Sequence, residues 1–245
     1  MTGIFFDIDD TLYSRQSLLL KAARLASGRE FDIARFMEIF CRKSDENFTL
    51  VEHGEITAAS SNVWRLNETL RAMGVPCPEG TGERFAKIYT ALQNQISLSD
   101  TLRQMFEMLS KASGQNPPAL YLGILTNGES SHQRAKFQQL SLARWISKSH
   151  VVISGEVGCS KPDRAIFEIC QERCGLKGKD LWMIGDSLKH DICGAASAGW
   201  NTVWFDRLPE RSSKPSAACN AVVRSDEELR AYVTSELIPL PQKGL

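Results

Sequence analysis

The chain has 245 residues, of which 42% are hydrophobic and 24% are charged, fractions that are ordinary for a folded globular protein and argue against disordered and fibrous classes. Its 29 basic side chains are balanced by 29 acidic ones, so no overall positive charge is available to attract a nucleic-acid polymer or an anionic membrane surface. Because no apolar stretch approaches the ~20 residues of a membrane-spanning helix and the first residues lack a secretory signal pattern, we expect a cytoplasmic protein.

The first predicted element is a short apolar strand, Ile4 to Phe6, of the kind that is buried in a parallel sheet. Similar stretches follow at 120–127, 150–154, 181–186 and 202–205, with a weaker one at 221–223. Amphipathic helical patterns lie between them, for example at 101–111 and at 163–175, where Pro162 opens the pattern and Gly175 closes it. This alternation predicts an α/β fold with a doubly wound parallel sheet.

Residues 15–98 interrupt the alternation, because they contain amphipathic helical patterns and no convincing strand. The clearest patterns are "FDIARFMEIFCRK" and "EITAASSNVWRLNETLRAMG". We therefore predict a core domain made of residues 1–14 and 99–245, with an all-helical domain, 15–98, inserted after the first strand. The segment 112–119, "ASGQNPPA", is predicted to be a loop.

Acidic, hydroxyl and ammonium side chains follow the predicted strands at the edge where the carboxyl ends of parallel strands meet. In chain order they are Asp7, Asp9, Asp10, Thr126, Asn127, Lys161, Asp186 and Asp191. Carboxylates packed together repel each other unless a cation neutralises them, and oxygen ligands favour a hard ion such as Mg²⁺ together with phosphate oxygens. The pattern predicts a Mg²⁺ site, with Thr126 and Lys161 on the other side of a bound phosphoryl group.

Each of these motifs also has an ordinary structural explanation when it is taken alone. An acidic cluster after a strand often caps the next helix, and "SKP" is usually a solvated lysine before a helix. The four histidines have no partner in a recognisable nucleophile motif, and the seven scattered cysteines, without a CxxC pair, predict reduced thiols and no zinc site. The ordered occurrence of all the acidic and basic motifs at strand ends favours a catalytic site.

Four segments, "FFDIDDTL", "GILTNG", "SKP" and "GDSLKHD", occur in an order that resembles the haloacid dehalogenase (HAD) superfamily of phosphatases and phosphotransferases. The resemblance extends over essentially the whole chain. It implies a HAD-like Rossmannoid core, and it implies that the helical insertion is the cap domain of that superfamily.

The resemblance also implies a role for each residue. Asp7 would be the nucleophile that forms an aspartyl-phosphate, and Asp9 would protonate the leaving group and later activate water. The implied Mg²⁺ ligands are Asp7, the main-chain carbonyl of Asp9, Asp186, and Asp191 either directly or through water. The implied phosphate-binding residues are Thr126, Asn127 and Lys161. Asp10 has no implied role and is expected to stabilise the turn.

We therefore expect a Mg²⁺-dependent phosphatase that acts on a small phosphorylated metabolite, either a sugar phosphate or a nucleoside monophosphate. A phosphomutase shares the first half-reaction and stays open, as does a non-catalytic phosphate-binding relative. A hydrolytic haloacid dehalogenase is disfavoured, because displacing halide needs neither a metal nor an acid and leaves Asp9, Asp186 and Asp191 unexplained. The identity of the substrate and the oligomeric state stay open. So do the substrate contacts in the cap, for which we name Tyr13, Arg15 and Arg65 only as guesses.

Overall fold

The computed structural model describes residues 1–114, 119–207 and 219–238. Within these ranges six strands form one parallel sheet in the order β3-β2-β1-β4-β5-β6. Their bounds are β1 (Thr2–Phe6), β2 (Leu120–Thr126), β3 (Val151–Ile153), β4 (Leu181–Gly185), β5 (Asn201–Phe205) and β6 (Ala221–Val223). The predicted α/β fold with a doubly wound parallel sheet is confirmed, and each predicted strand is present with ends shifted by a few residues.

Strand β1 lies in the middle of the sheet. From β1 the chain first adds β2 and β3 on one side and then β4, β5 and β6 on the other, so the sheet has its topological switch point at β1. Its neighbours are β2 on one side and β4 on the other, and both pairings are parallel. Phe5 packs on one face of the sheet against Trp200, and Phe6 packs on the opposite face against Phe106. Both faces of β1 are thus covered, which explains why the strand is apolar at consecutive positions. Ligands bind at such a switch point in open α/β sheets.

Helix α5 (Asp100–Ser113) leads into β2 and carries the predicted apolar stripe. It begins at the cap residue Ser99, whose hydroxyl accepts a hydrogen bond from the Leu102 amide. The predicted loop 112–119 is wrong for its first two residues, because the helix continues to Ser113, and residues 115–118 lie outside the described ranges. The buried Ala112 explains the extension, since it continues the stripe by one more turn.

The other α-helices of the sheet domain are shorter. They are α6 (Ser130–Gln139), α7 (Ser154–Val157), α8 (Arg164–Cys174), α9 (Gly194–Ser197) and α10 (Asp226–Tyr232). Helix α8 ends as predicted at Gly175, which has a φ of 68°. The prediction that Pro162 opens this helix is two residues early, because Asp163 is the cap and Arg164 is the first helical residue.

Residues 14–96 form a second compact unit, separate from the unit made by residues 1–13 and 97–245. It consists of α1 (Arg15–Ser27), α2 (Ile33–Glu52), α3 (Ala58–Ala72) and α4 (Thr81–Gln93), and no strand occurs between residues 14 and 96. Phe36, Phe40, Phe85 and Tyr89 stack or pack edge to face in its core. No helix in the described ranges has both the length and the apolar character that crossing a bilayer requires.

Candidate active site

Asp7 is the first residue beyond β1, at the carboxyl end of the central strand. Its main-chain amide donates a 2.9 Å hydrogen bond to the carbonyl of Ile184 and so continues the pairing of β1 with β4 by one residue. The side chain is buried, with 7% of its surface exposed. The sheet therefore fixes the backbone of Asp7, and the carboxylate lies in a site that bulk water barely reaches.

The ammonium group of Lys161 joins Asp7 to Asp191. It donates hydrogen bonds to Asp7 Oδ1 at 2.9 Å, to Asp191 Oδ1 at 2.6 Å and to the main-chain carbonyl of Leu125 at 3.0 Å. Burial alone would lower the pKa of Lys161, but the charges of Asp191 and Asp7 raise the pKa above its ordinary value. The three bonds use the three N–H donors of the ammonium group and hold it charged between two carboxylates.

Three carboxylates gather at this point of the sheet edge. One oxygen from each of Asp7, Asp186 and Asp191 lies within 4.8 Å of the other two. Burial raises the pKa of the Asp7 carboxyl, the charges of Asp191 and Asp9 raise it further, and Lys161 offsets these effects only in part. Together with one lysine, three ionised carboxylates leave an excess of negative charge. The oxygen donors and this excess fit a divalent hard cation.

Asp191 is positioned by the short π-helical segment Leu188–Cys193 and by the absence of a side chain at Gly185. Its Oδ2 accepts a 2.9 Å hydrogen bond from the amide of Ser187. A Cβ atom on Gly185 would lie 2.3 Å from that oxygen, well inside normal contact distance. Glycine at the end of β4 thus provides the space that the buried carboxylate occupies.

Asn127 holds the loop that carries Lys161. Its amide nitrogen donates to the main-chain carbonyl of Lys161, and its amide oxygen accepts from the main-chain amide of the same residue, both at 2.9 Å. The side chain of Asn127 therefore has a structural contact that the sequence did not predict, in addition to the phosphate contact that the family resemblance implies. Thr126, the last residue of β2, is buried with 1% of its surface exposed.

Asp9 is surrounded by residues that the sequence reasoning did not connect with it. Lys136 donates to both of its carboxylate oxygens, at 2.7 and 2.6 Å, and Gln133 Nε2 donates to Oδ2 at 3.1 Å. The hydroxyl of Tyr13 donates to Oδ1. The spacing of Gln133 and Lys136, three residues apart on α6 directly after "TNG", is the signal that could have placed both on one helix face.

Asp10 adopts a left-handed conformation with a φ of 57°, as expected for a turn residue. Arg207 stabilises this turn, because its guanidinium donates to the main-chain carbonyls of Asp10 at 3.1 Å and Thr11 at 3.0 Å. The same group donates to Asp226 Oδ1 at 2.6 Å. Arg207 carries no local motif, so its contact with this turn was not predicted from the sequence.

Comparison with known proteins identifies the family. A family model described as haloacid dehalogenase-like hydrolase matches residues 1–199. The chain is 32% identical to the N-acylneuraminate-9-phosphatase of Mus musculus, covering 95% of this chain and 94% of that protein. It is 26% identical to the pyrimidine 5'-nucleotidase YjjG of Escherichia coli, covering 83% and 85%. The solved structure of the HAD-hydrolase YfnB of Bacillus subtilis has a TM-score of 0.65 at 22% identity, covering 96% and 98%. The chain therefore belongs to the haloacid dehalogenase-like hydrolase family.

Proposed function

We propose that this hydrolase is a Mg²⁺-dependent phosphatase that releases phosphate from a small phosphomonoester, a sugar phosphate or a nucleoside monophosphate, through an aspartyl-phosphate. The observation that carries the proposal is the arrangement of Lys161 between Asp7 and Asp191, with Asp186 beside them. A buried ammonium next to a buried carboxylate suits attack on a phosphoryl group, because the ammonium offsets the negative charge of that group. The phosphatases and the nucleotidase among the relatives support the substrate class.

The proposed reaction has two steps. In the first, an Asp7 oxygen bonds to phosphorus, the ester P–O bond breaks, and the leaving oxygen takes a proton from the Asp9 carboxyl. In the second, a water oxygen bonds to phosphorus, the bond between phosphorus and Asp7 breaks, and Asp9 accepts the proton of that water. Asp7 and Asp9 return to their initial states, and one water is consumed for each alcohol and phosphate released.

Lys161 and Thr126, with Asn127, are proposed to hold the phosphoryl oxygens. In the structure Lys161 is hydrogen-bonded to Asp7 and Asp191, which keeps its charge next to the attacking oxygen. The reciprocal bonds of Asn127 fix the main chain of Lys161, so its ammonium group needs little reorganisation when the substrate binds. Such fixed charges lower the barrier more than mobile ones do.

The proposed ligands of the Mg²⁺ ion are Asp7, Asp186, Asp191 and the main-chain carbonyl of Asp9. When bound, the ion would neutralise charge on the phosphoryl oxygens. Both oxygens of Asp191 already accept hydrogen bonds, from Lys161 and from the Ser187 amide, which favours contact with the ion through water.

The helical unit is proposed to act as the cap domain that selects the leaving group and excludes water. Its position in the chain supports this role, because residues 14–96 are inserted between β1 and β2, the two strands that precede Asp7 and Asn127. The family resemblance gives the same role to an insertion at this place.

The test is phosphate release from a panel of sugar phosphates, nucleoside monophosphates and short organic phosphates, with Mg²⁺ or with EDTA. We expect activity with Mg²⁺ on at least one substrate, none with Asp7→Asn, and native activity with Asp100→Asn, whose side chain is 85% exposed on the surface. Acid quenching should trap a phosphorylated native protein and no phosphorylated Asp7→Asn. Native activity in Asp7→Asn would refute the proposal, and an isomerised ester without free phosphate would indicate a phosphomutase.

A further inference from the structure

Two buried lysines lie at the carboxyl edge of the sheet, and each forms ion pairs with different aspartates. Lys161 is bonded to Asp7 and Asp191. Lys136, with 6% of its surface exposed, forms an ion pair with Asp9. Among the described residues, the ammonium of Lys136 is hydrogen-bonded to Asp9 alone. In the proposed reaction Lys161 holds the phosphoryl oxygens, whereas Lys136 has no assigned role.

The contacts fix the Asp9 carboxylate in one orientation. Lys136 bonds to both of its oxygens, and Gln133 bonds to Oδ2. The amide of Gln133 is itself oriented, because its Nε2 also donates to the main-chain carbonyl of Asn127 at 3.0 Å. Tyr13 donates to Oδ1 from the loop of Asp9 itself. An aspartate side chain on a turn has two free torsions, and these contacts remove that freedom.

We infer that Lys136 is a positioning residue that acts through Asp9, with Gln133 as its helper. The inference rests on the proposed function, in which Asp9 exchanges a proton with the leaving oxygen and then with water. Proton transfer requires the carboxyl group to lie within hydrogen-bond reach in the correct orientation, and a functional group held by packed neighbours keeps that geometry. Because Lys136 contacts Asp9 and not Asp7, its loss should slow turnover without weakening substrate binding.

Helix α6 is suited to this task by its place in the fold. It begins at Ser130, immediately after the loop that follows Thr126 and carries Asn127, and it buries Gln133 and Lys136. A helix is a rigid support, so the distance from its backbone to the sheet edge is fixed. The hydrogen bonds from α6 to Asp9 therefore join two parts of the site that lie more than 120 residues apart in the chain.

The experiment measures kcat and KM for the best substrate of the panel. We expect Lys136→Met to lower kcat by about tenfold to a hundredfold, part of the 10²–10⁴ that a positioned acid and base contribute, and to change KM by less than about twofold. Lys136→Arg, which keeps the charge, should recover part of kcat. Lys111→Met, on the exposed face of α5, is the matched control and should behave as the native protein.

A double-mutant cycle separates action through Asp9 from a general effect on structure. In an Asp9→Asn background, Lys136→Met should cause no further loss of kcat beyond about twofold. An equal loss in both backgrounds would overturn the inference. If Lys136→Met does not fold, as judged by circular dichroism, Lys136→Gln replaces it with the same expectations.

The outcomes also distinguish this inference from the function on which it rests. A native protein that releases phosphate while Lys136→Met retains native kcat overturns the role of Lys136 and leaves the phosphatase intact. A native protein that releases phosphate from no substrate refutes the phosphatase itself. A kcat loss that depends on Asp9, with KM preserved, supports both.

Discussion

Replacing Gly185 with alanine is expected to displace Asp191 and to weaken both folding and activity. The added Cβ would lie 2.3 Å from Asp191 Oδ2, 2.4 Å from its Cγ and 2.7 Å from its Cβ. Non-bonded carbon atoms prefer separations of about 3.5–4.0 Å, so the carboxylate or the strand has to move by roughly 1 Å. Asp191 is buried, with 1% of its surface exposed, and both of its oxygens accept hydrogen bonds, so a movement of the carboxylate breaks contacts.

The size of the effect follows from the contacts that the movement breaks. Overpacking of a buried site costs about 1–3 kcal/mol. The hydrogen bond from the Ser187 amide to Asp191 Oδ2 is 2.9 Å long, and a bond to a charged group contributes about 1.5–3 kcal/mol. We therefore expect the free energy of unfolding to fall by about 2.5–6 kcal/mol, a large part of the 5–15 kcal/mol that holds a typical domain folded.

Urea unfolding followed by circular dichroism measures this change, with phosphate release measured in parallel. Gly114→Ala is the control, because Gly114 has a φ of −80° and an added Cβ would meet its nearest atom at 3.4 Å; its unfolding free energy should change by less than about 0.5 kcal/mol. If Gly185→Ala unfolds within about 1 kcal/mol of the native protein and retains its activity, the steric reasoning about Asp191 is wrong.

Three further predictions concern other parts of the molecule. Arg207→Met releases two main-chain carbonyls of the loop after β1 and should lower kcat by about tenfold to a hundredfold in steady-state assays. Burial raises the pKa of the Asp7 carboxyl, so the folded protein binds this proton more tightly than the unfolded chain does. The free energy of unfolding should therefore fall as pH rises from the pKa of Asp7 in the unfolded chain to its higher pKa in the folded protein. Urea titrations at several pH values measure this fall, which Asp7→Asn should lack. Cys77 and Cys193 are exposed and should react first with a thiol reagent, whereas burial raises the pKa of Cys170, which should react only after unfolding.

The sequence predicted the sheet well because its strands are apolar at consecutive positions and end in polar residues. Strand ends in a parallel sheet meet at one edge, and this rule was sufficient to predict that Asp7, Lys161, Asp186 and Asp191 gather there. Their contacts agree with the prediction that they lie close together. Their catalytic roles remain proposals.

The sequence could not show the neighbours of Asp9, and the reason lies in α6. Apolar periodicity reveals which face of a helix is buried, but the face of α6 that points inward includes the amide of Gln133 and the ammonium of Lys136. Polar residues on a helix normally indicate the solvent side, so the residue types alone do not predict that Gln133 and Lys136 are buried. Arg207 was missed for a related reason, because a single arginine almost 200 residues from its partner carries no periodic signal.

The contacts of Arg207 have a consequence for shortened versions of the chain. The matched family region ends at residue 199, but Arg207 lies beyond it and donates hydrogen bonds to the turn that follows β1, and Asp226 accepts a hydrogen bond from Arg207. A polypeptide cut at residue 199 would also lose β5 and β6, leaving β4 as an unpaired border strand. A shortened version of this enzyme should therefore keep all residues through α10, because Arg207 and Asp226 stabilise the turn after β1.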